Sequence, residues 1–589
     1  MKRTLIRLGL SALITSALFG CGGGGSDGVP GTSSPPVTVT ATGPGINPAT
    51  ITAAQWASLE PIGTINSVTI NSPPVVTFTL TDGSGNAIVG LESMTTDTTK
   101  NTGSTAKYPT YPNLAFSIAK LVPGTNGSPS RWVSYEVLGT PNTTADFTPS
   151  APSTENYGAL EAVAGVPGQY KYTFRRDPKA VKALIDGASY TAPKAKEDLD
   201  DLTYEPTLTH RVGIQFSGNA RGTSTNTANG LTSGVDAVPL DKPVNFFYDF
   251  IPATGKAVTA ADTQREIVSV AACFECHSKF VGFHGGNAVN KFPASRQDTR
   301  MCVLCHTDQR KFNTVAATTT STGYSGNVNR VNNNATLTLM PFIHTLHMGE
   351  KLTKTGTTVG GILANDIKYP QTITNCVKCH DGSAGAKNKT AQGDNWKTKP
   401  SRLACNSCHD NVNFATGANH PAPGGIRTDD SQCATCHDAT SIATVAHVTV
   451  DPTGSVDRGG YPTPASSVGN PIALASMVNP PAGVFKIGFD INSVTVDSTT
   501  KIATVKYRIL KDGAAVTLNT TGFLINDVDG TPSIYVTYGV PQDGVTKVVD
   551  WTASLNATVT QFRDAQTAGN VSATLSQTGP DASGYYSAT

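Results

Sequence analysis

Ten of the eleven cysteines in this 589-residue chain fall into five pairs of one form. Two residues separate the cysteines of every pair, and a histidine directly follows the second cysteine. The five segments are CFECH (273–277), CVLCH (302–306), CVKCH (376–380), CNSCH (405–409) and CATCH (433–437). Since a spacing of this kind fixes the local backbone, the repeated motif constrains the fold of this stretch more than composition does.

Three kinds of chemistry use paired cysteines at this spacing. Zinc sites usually combine two such pairs per metal, and five is an odd number of pairs. A disulfide would suit an exported chain, although CxxC loops serve more often as redox or metal sites than as structural bridges. Covalent attachment of c-type haem also requires a histidine immediately after the second cysteine, as axial ligand to the iron. Only this third chemistry explains the histidine after every pair.

We therefore predict five covalently bound haem c groups. The attachment residues would be Cys273, Cys276, Cys302, Cys305, Cys376, Cys379, Cys405, Cys408, Cys433 and Cys436. The first axial ligands would be His277, His306, His380, His409 and His437.

Five further histidines lie in the same stretch, namely His284, His344, His347, His420 and His447. The matching number predicts a second axial imidazole on every iron. In MPFIHTLHMGEKL a short helix is expected to start near Pro341, so His344 and His347 share a face and should serve two neighbouring haems. We favour the adjacent haem at Cys302 and Cys305 for His284, and the pairing otherwise stays open. His210 lies outside the stretch and is expected to be structural or exposed.

An iron with two imidazole ligands has no open position for a substrate. Such a centre exchanges electrons, and it lacks the methionine ligand that raises the potential in His/Met cytochromes. We therefore expect an electron conduit with low-potential haems. Two alternatives remain open. A pentahaem reductase would need one open catalytic haem, typically at a CxxCK motif, and a haem-bearing surface protein would only store charge.

The amino terminus carries the features of an export signal. Basic residues and a short apolar run in MKRTLIRLGLSALITSALFGC predict a signal peptide over residues 1–20, with Cys21 as a lipidation site. A Gly- and Ser-rich tether follows over residues 21–40. No other apolar run is long enough to span a bilayer, so we expect a lipid anchor alone. The net charge of +1 gives no indication of a nucleic-acid binder.

The flanking regions have the alternating pattern of β-strands. VVTFTLTDGSGNAIVGL (75–91) turns through Asp82-Gly83, and IATVKYRILKDGAAVTL (502–518) repeats that pattern. Further strands are predicted in RWVSYEVL, GQYKYTFRR, HRVGIQFSG, PVNFFYDFI, SIYVTYGV and GYYSAT, and a helix is predicted near 177–188. The ordered similarity indicates two copies of one β module.

These patterns predict a multidomain chain. β-rich, split-barrel or sandwich-like domains at 41–255 and 470–589 would flank a mostly irregular, short-helical pentahaem domain at 256–450. The second β-rich domain is expected to be incomplete. High glycine and proline content, 57 and 37 residues, suits such turn-rich domains.

Together, Cys21, the five CxxCH motifs, CHSKFVGFHGG, IHTLH and the two β modules resemble the OmcA/MtrC family of outer-membrane decahaem cytochromes. The family arrangement is β, pentahaem, β, pentahaem, and the resemblance extends to the equivalent of the third domain. It implies bis-histidine haems and a lipid-anchored, cell-surface location. It further implies electron transfer to extracellular metal oxides, soluble metals or flavins. The implied partner is an outer-membrane porin that holds a periplasmic multihaem donor.

Overall fold

The computed structural model describes residues 43–101, 105–282, 284, 293–369, 373–447, 487–500, 502–518 and 577–589. The predicted signal peptide, Cys21, the tether and the strand predicted in SIYVTYGV lie outside these residues. In the described part of the chain, no helix is both long and apolar enough to cross a membrane.

Two facing sheets make up the amino-terminal region. The first contains β1 (Gly43–Ile46), β2 (Pro61–Ile70), β3 (Pro74–Asp82), β4 (Asn86–Ile88), β7 (Ala159–Ala162) and β8 (Gln169–Thr173). Its strand order is β1-β4-β3-β8-β7, and β2 also pairs with β3. The second contains β5 (Leu114–Val122), β6 (Arg131–Ser134), β9 (His210–Phe216), β10 (Val244–Ile251) and β11 (Lys256–Ala257), in the order β11-β10-β9-β5-β6.

The core of this region lies between the two sheets. Val76, Phe78 and Leu80 alternate along β3 and are fully buried. The ring of Phe78 packs edge-on against Phe116 of the second sheet, with 5.8 Å between ring centroids. Two helices complete the region, α1 (Ala53–Ala57) and α2 (Pro178–Asp186).

The segment that contains the CxxCH motifs has little regular structure. Its helices are short: α3 (Val270–Phe274), α4 (Thr299–Cys305), α5 (Leu339–Met348), α6 (Asn395–Thr398), α7 (Arg402–Asn406) and α8 (Cys433–Cys436), with a π-helical turn at Ser441–Ala446. Three two-stranded ladders join β12 (Thr318–Thr319) to β13 (Tyr324–Ser325), β14 (Arg330–Val331) to β15 (Asn334–Ala335), and β16 (Thr358–Val359) to β17 (Ile362–Leu363).

Helix α5 begins at Leu339, two residues before the predicted start near Pro341. The proline therefore occupies the third position of the helix. Amide groups in the first turn have no intrahelical acceptor, so a proline is tolerated there as well as at the first position. The short helix is therefore present where it was expected, with Pro341 in its first turn.

Helix α4 packs directly on the second sheet. Met301 and Leu304 are fully buried in a cluster with Ala119, Leu121 and Trp132. A Cβ atom at Gly213 of β9 would lie 2.6 Å from Leu304 Cδ1, so glycine permits this close approach. The second CxxCH motif is thereby held against the β module.

The carboxy-terminal sheet has strands β18 (Ile487–Val496), β19 (Ala503–Lys511), β20 (Ala514–Ala515), β21 (Gln577–Thr578) and β22 (Tyr586–Ala588). The order is β18-β19-β22-β21, and β20 also pairs with β19. The predicted fold class, a multidomain β-rich chain with few, short helices, is confirmed.

The sequence repeat has counterparts in hydrogen bonding. Register irregularities occur at the same place in β2 and β18, between Ile65 and Ser67 and between Ile491 and Ser493. Likewise, the amide of Leu91 donates to the hydroxyl of Tyr170, and the amide of Leu518 donates to the hydroxyl of Tyr586. The two sheets therefore share the register irregularity and the hydrogen bond to a tyrosine hydroxyl, as well as sequence similarity.

Candidate functional site

Each CxxCH motif forms one turn of helix. In all five, the amide of the histidine donates to the carbonyl oxygen of the first cysteine, four residues earlier, at 2.8–2.9 Å. This bond has the register of an α-helix and sets both thiols and the imidazole on one compact turn. The shared spacing in the sequence therefore corresponds to a shared backbone geometry.

The ten thiols fit covalent attachment better than the two other chemistries. All ten cysteines are free, and the described residues contain no group of three or more potential metal ligands. Burial raises the pKa of Cys273, Cys302 and Cys408 to about 12. A structural zinc site usually gathers four ligands, so cysteine pairs without a third nearby ligand fit the attachment of one porphyrin each better than a zinc site.

Every motif histidine faces one of the five other histidines of this segment. The separations of the ring centroids are His277–His347 6.1 Å, His306–His284 5.8 Å, His380–His344 5.9 Å, His409–His447 6.3 Å and His437–His420 6.4 Å. A metal–imidazole bond is about 2.0 Å and the ring centre lies about 1.1 Å beyond it, so two imidazoles across one metal have centres about 6.2 Å apart. The residues present therefore fit five metals, each between two imidazoles.

The facing pairs come from different parts of the chain. Helix α5 presents His347 to His277 and His344 to His380, so one helix serves two motifs. His284 lies beside His306 of the next motif. The backbone of His284 has a φ of 49°, in the left-handed region, and its carbonyl oxygen accepts a hydrogen bond of 3.1 Å from the amide of Ser295.

Backbone carbonyl groups orient four of the ten imidazoles. The Nδ1 atoms of His306, His347, His420 and His447 lie 2.8–3.2 Å from the carbonyl oxygens of Leu337, Ile343, Gly425 and Ile442. An Nδ1–H group that donates to a carbonyl leaves Nε2 as the lone-pair nitrogen. These four rings are therefore held in the tautomer that can bind a metal.

Burial also keeps several imidazoles neutral. It lowers the pKa of His284 and His344 to about 3 and the pKa of His306 and His380 to about 4. A protonated imidazole cannot bind a metal, so a depressed pKa preserves the ligand form.

Electrostatic effects on the thiol pKa values identify motifs that lie near one another. Cys302 is affected by Cys273, and Cys273 by Cys379. Cys408 is affected by Cys376, and Cys405 by Cys433. This gives a neighbour order of the motifs that runs from the second through the first, third and fourth to the fifth.

His210 lies apart from the motifs and is fully buried. Its Nδ1 lies 2.9 Å from the carbonyl oxygen of Leu208, and its ring stacks on Tyr135 with 5.8 Å between centroids. His210 is therefore structural, and the alternative of an exposed position is excluded.

Several charged residues beside the motifs escaped the sequence analysis. Asp430 accepts hydrogen bonds from Ser128 of the β5–β6 loop at 2.7 Å and from the guanidinium of Arg402 at 2.9 Å. It thereby joins the β module to the fourth and fifth motifs. No spacing pattern distinguishes such residues, because their partners are distant in sequence.

Comparison with known proteins agrees with this geometry. Residues 265–449 match the family described as outer membrane cytochrome MtrC/MtrF-like, domains II/IV. This segment is therefore similar to domains II and IV of the MtrC/MtrF-like cytochromes. It contains all five motifs and their facing histidines, and the resemblance to the OmcA/MtrC family is confirmed.

The chain is also similar to individual cytochromes. The chain is 25% identical over 376 residues to the multiheme cytochrome MtrC of Shewanella baltica (strain OS185), covering 63% of this chain and 39% of the relative. The crystal structure of MtrC from Shewanella baltica OS185 matches with a TM-score of 0.39 and 21% identity, over 78% of this chain and 52% of that one. The outer membrane decaheme cytochrome OmcA matches with a TM-score of 0.41 and 19% identity, over 90% and 63%. The chain thus spans less than two thirds of the length of each relative.

Proposed function

We propose that this chain is a multihaem c-type cytochrome that binds five haem c groups and conducts electrons at the cell surface. The observation that carries the proposal is the set of five histidine pairs with ring centroids 5.8–6.4 Å apart. In this proposal each CxxCH motif attaches one haem through its two cysteines. The motif histidine and its facing histidine are the two axial ligands.

In this function the protein holds the haems, orients their imidazole ligands and buries both. Bound haem supplies a reversible one-electron couple at its iron. The carbonyl contacts at Nδ1 fix the orientation of four imidazoles, and burial keeps others neutral. Every motif histidine has a facing imidazole among the described residues. In this proposal no haem iron therefore has an open position for a substrate. The alternative of a pentahaem reductase gains no support from this arrangement.

The neighbour order of the motifs supports conduction along one path. That path starts at the second motif, against the amino-terminal β module, and ends at the fifth. We propose domain limits of 41–255, 256–450 and 470–589, with residues 1–20 as signal peptide and Cys21 as lipid anchor.

The relatives support a proposal for the setting of this function. Two of them are named as outer-membrane or multihaem cytochromes. We propose an outer-membrane, cell-surface location, a porin with a periplasmic multihaem cytochrome as electron donor, and metal oxides or flavins as acceptors.

The haem count tests the proposal directly. Intact mass and pyridine haemochrome absorbance of the mature holoprotein should both give five haems per chain. Cys405→Ala/Cys408→Ala should give four, with the remaining haem spectrum unchanged. A wild-type count below five would contradict the proposed ligand set.

A further inference from the structure

Two arginines face the histidine pair of the second motif. Arg296 Nη1 lies 3.0 Å from His284 Nδ1. The same guanidinium donates to Gln215 Oε1 at 3.1 Å and to Thr154 Oγ1 at 3.3 Å. Both of these acceptors belong to the β module. The side chain of Arg296 therefore lies between the β module and the distal histidine of this site.

Arg310 follows His306 by four residues. Its Nη1 donates to the carbonyl oxygen of Pro152 at 3.1 Å, while its Nε is buried without a hydrogen-bond partner. Burial, and the nearby charge of Arg296, lower the pKa of Arg310. The guanidinium thus has a spare donor in a partly desolvated position.

Within the described residues, neither arginine forms an ion pair with a carboxylate. Other cations of the same segment do: Arg300 pairs with Asp298 at 2.8 Å, and Lys311 pairs with Asp308 at 2.6 Å. The buried carboxyl groups nearby, Glu136 and Glu155, interact with Arg176, and burial raises the pKa of both. A partly buried cation without a counter-ion is costly, so two adjacent ones indicate that an anion belongs here.

Haem carries two propionate groups, and arginine is well suited to bind carboxylates. We propose that Arg296 and Arg310 pair with the propionates of the haem attached at Cys302 and Cys305, and that their positive charge raises the reduction potential of this haem. The inference rests on the proposed function. Reduction adds an electron, and nearby positive charge stabilises the reduced form.

A spectroelectrochemical titration of the holoprotein tests this assignment. In Arg310→Gln, and separately in Arg296→Gln, one fifth of the absorbance change should shift to lower potential. The ratio of reduced to oxidised haem at a fixed potential should fall at least tenfold. For a one-electron couple this corresponds to a shift in the reduction potential of about 59 mV. The other four components should stay within a twofold change in that ratio.

Lys311→Gln is the matched control, because it removes the same charge from the neighbouring residue, where Asp308 already compensates it. An equal shift in this control, or an unchanged titration in both arginine variants, would overturn the inference. Arg310→Lys keeps the charge and should retain five haems and the wild-type potential. A failure of the proposed function would appear separately, as a wild-type protein without five haems.

Discussion

Glu275 and Lys378 occupy the same position in two different CxxCH motifs, and their side chains form an ion pair. Each residue directly precedes the second cysteine of its motif, the first and the third respectively. Glu275 also accepts a hydrogen bond of 2.6 Å from Asn388. Helix α5 joins the same two motifs through its histidines. The contact between the first and third motifs is therefore held from two sides.

This ion pair predicts a pH dependence of stability. Lys378 holds the pKa of Glu275 at about 2, below its usual value of about 4.3. Because the pKa of Glu275 is lower in the folded than in the unfolded chain, its ionised carboxylate stabilises the fold at pH values above about 4.3. This stabilisation is lost as the pH falls from about 4.3 to about 2. At pH 7, Glu275→Gln should lower the unfolding free energy by less than about 1 kcal/mol, because the pair is partly exposed.

Denaturant unfolding of both proteins at pH 7, 4 and 2.5 measures this effect. The difference between wild type and Glu275→Gln should shrink as the pH falls. A constant difference across the three pH values would show that the charge of Glu275 does not contribute.

The assignment of His447 to the fourth motif can be tested by removing the imidazole. His447→Ala should convert one haem to a high-spin form that binds cyanide or carbon monoxide, because His409 would lose its facing ring. In a Cys405→Ala/Cys408→Ala background the same substitution should produce no high-spin signal. A high-spin signal in that background would assign His447 to a different haem.

The burial of Leu304 predicts that the contact between helix α4 and the β module contributes strongly to stability. The residue is fully buried among Met301, Trp132 and Leu121. Leu304→Ala should therefore lower the unfolding free energy by about 2–5 kcal/mol. Ile362→Ala, at a side chain that is 38% exposed, should change it by less than about 0.5 kcal/mol. Similar losses in the two variants would argue against a tightly packed contact.

Local features of the site followed from the sequence, and long-range features did not. The CxxCH spacing predicts a single turn, and the matching counts predict two imidazoles per iron. The partner of His277 could not be predicted, because His347 reaches it from a helix 70 residues further along the chain. Arg296 has no motif at all, and its position depends on how the β module packs against the second motif.

The same distinction applies to the strands. The strands predicted around residue 78 and in PVNFFYDFI appear as β3 and β10. Strand β5 was not predicted, because it is buried at eight consecutive positions and lacks the alternation of a half-exposed strand.

The ring planes of the histidine pairs give the oxidised protein a predictable spectrum. The planes are near-perpendicular in three pairs, at 86°, 82° and 73°, and closer to parallel in the pair of His420 and His437, at 25°. Perpendicular axial imidazoles leave two iron d orbitals nearly degenerate, which gives strongly anisotropic low-spin EPR signals. The pair of His420 and His437 should instead give a rhombic signal.

EPR combined with near-infrared magnetic circular dichroism of the fully oxidised holoprotein is the most direct measurement. Five low-spin irons with bis-imidazole signatures are expected, most of the EPR intensity being strongly anisotropic. A high-spin iron or a His/Met signature in the wild-type protein would contradict the proposal of five bis-histidine haems.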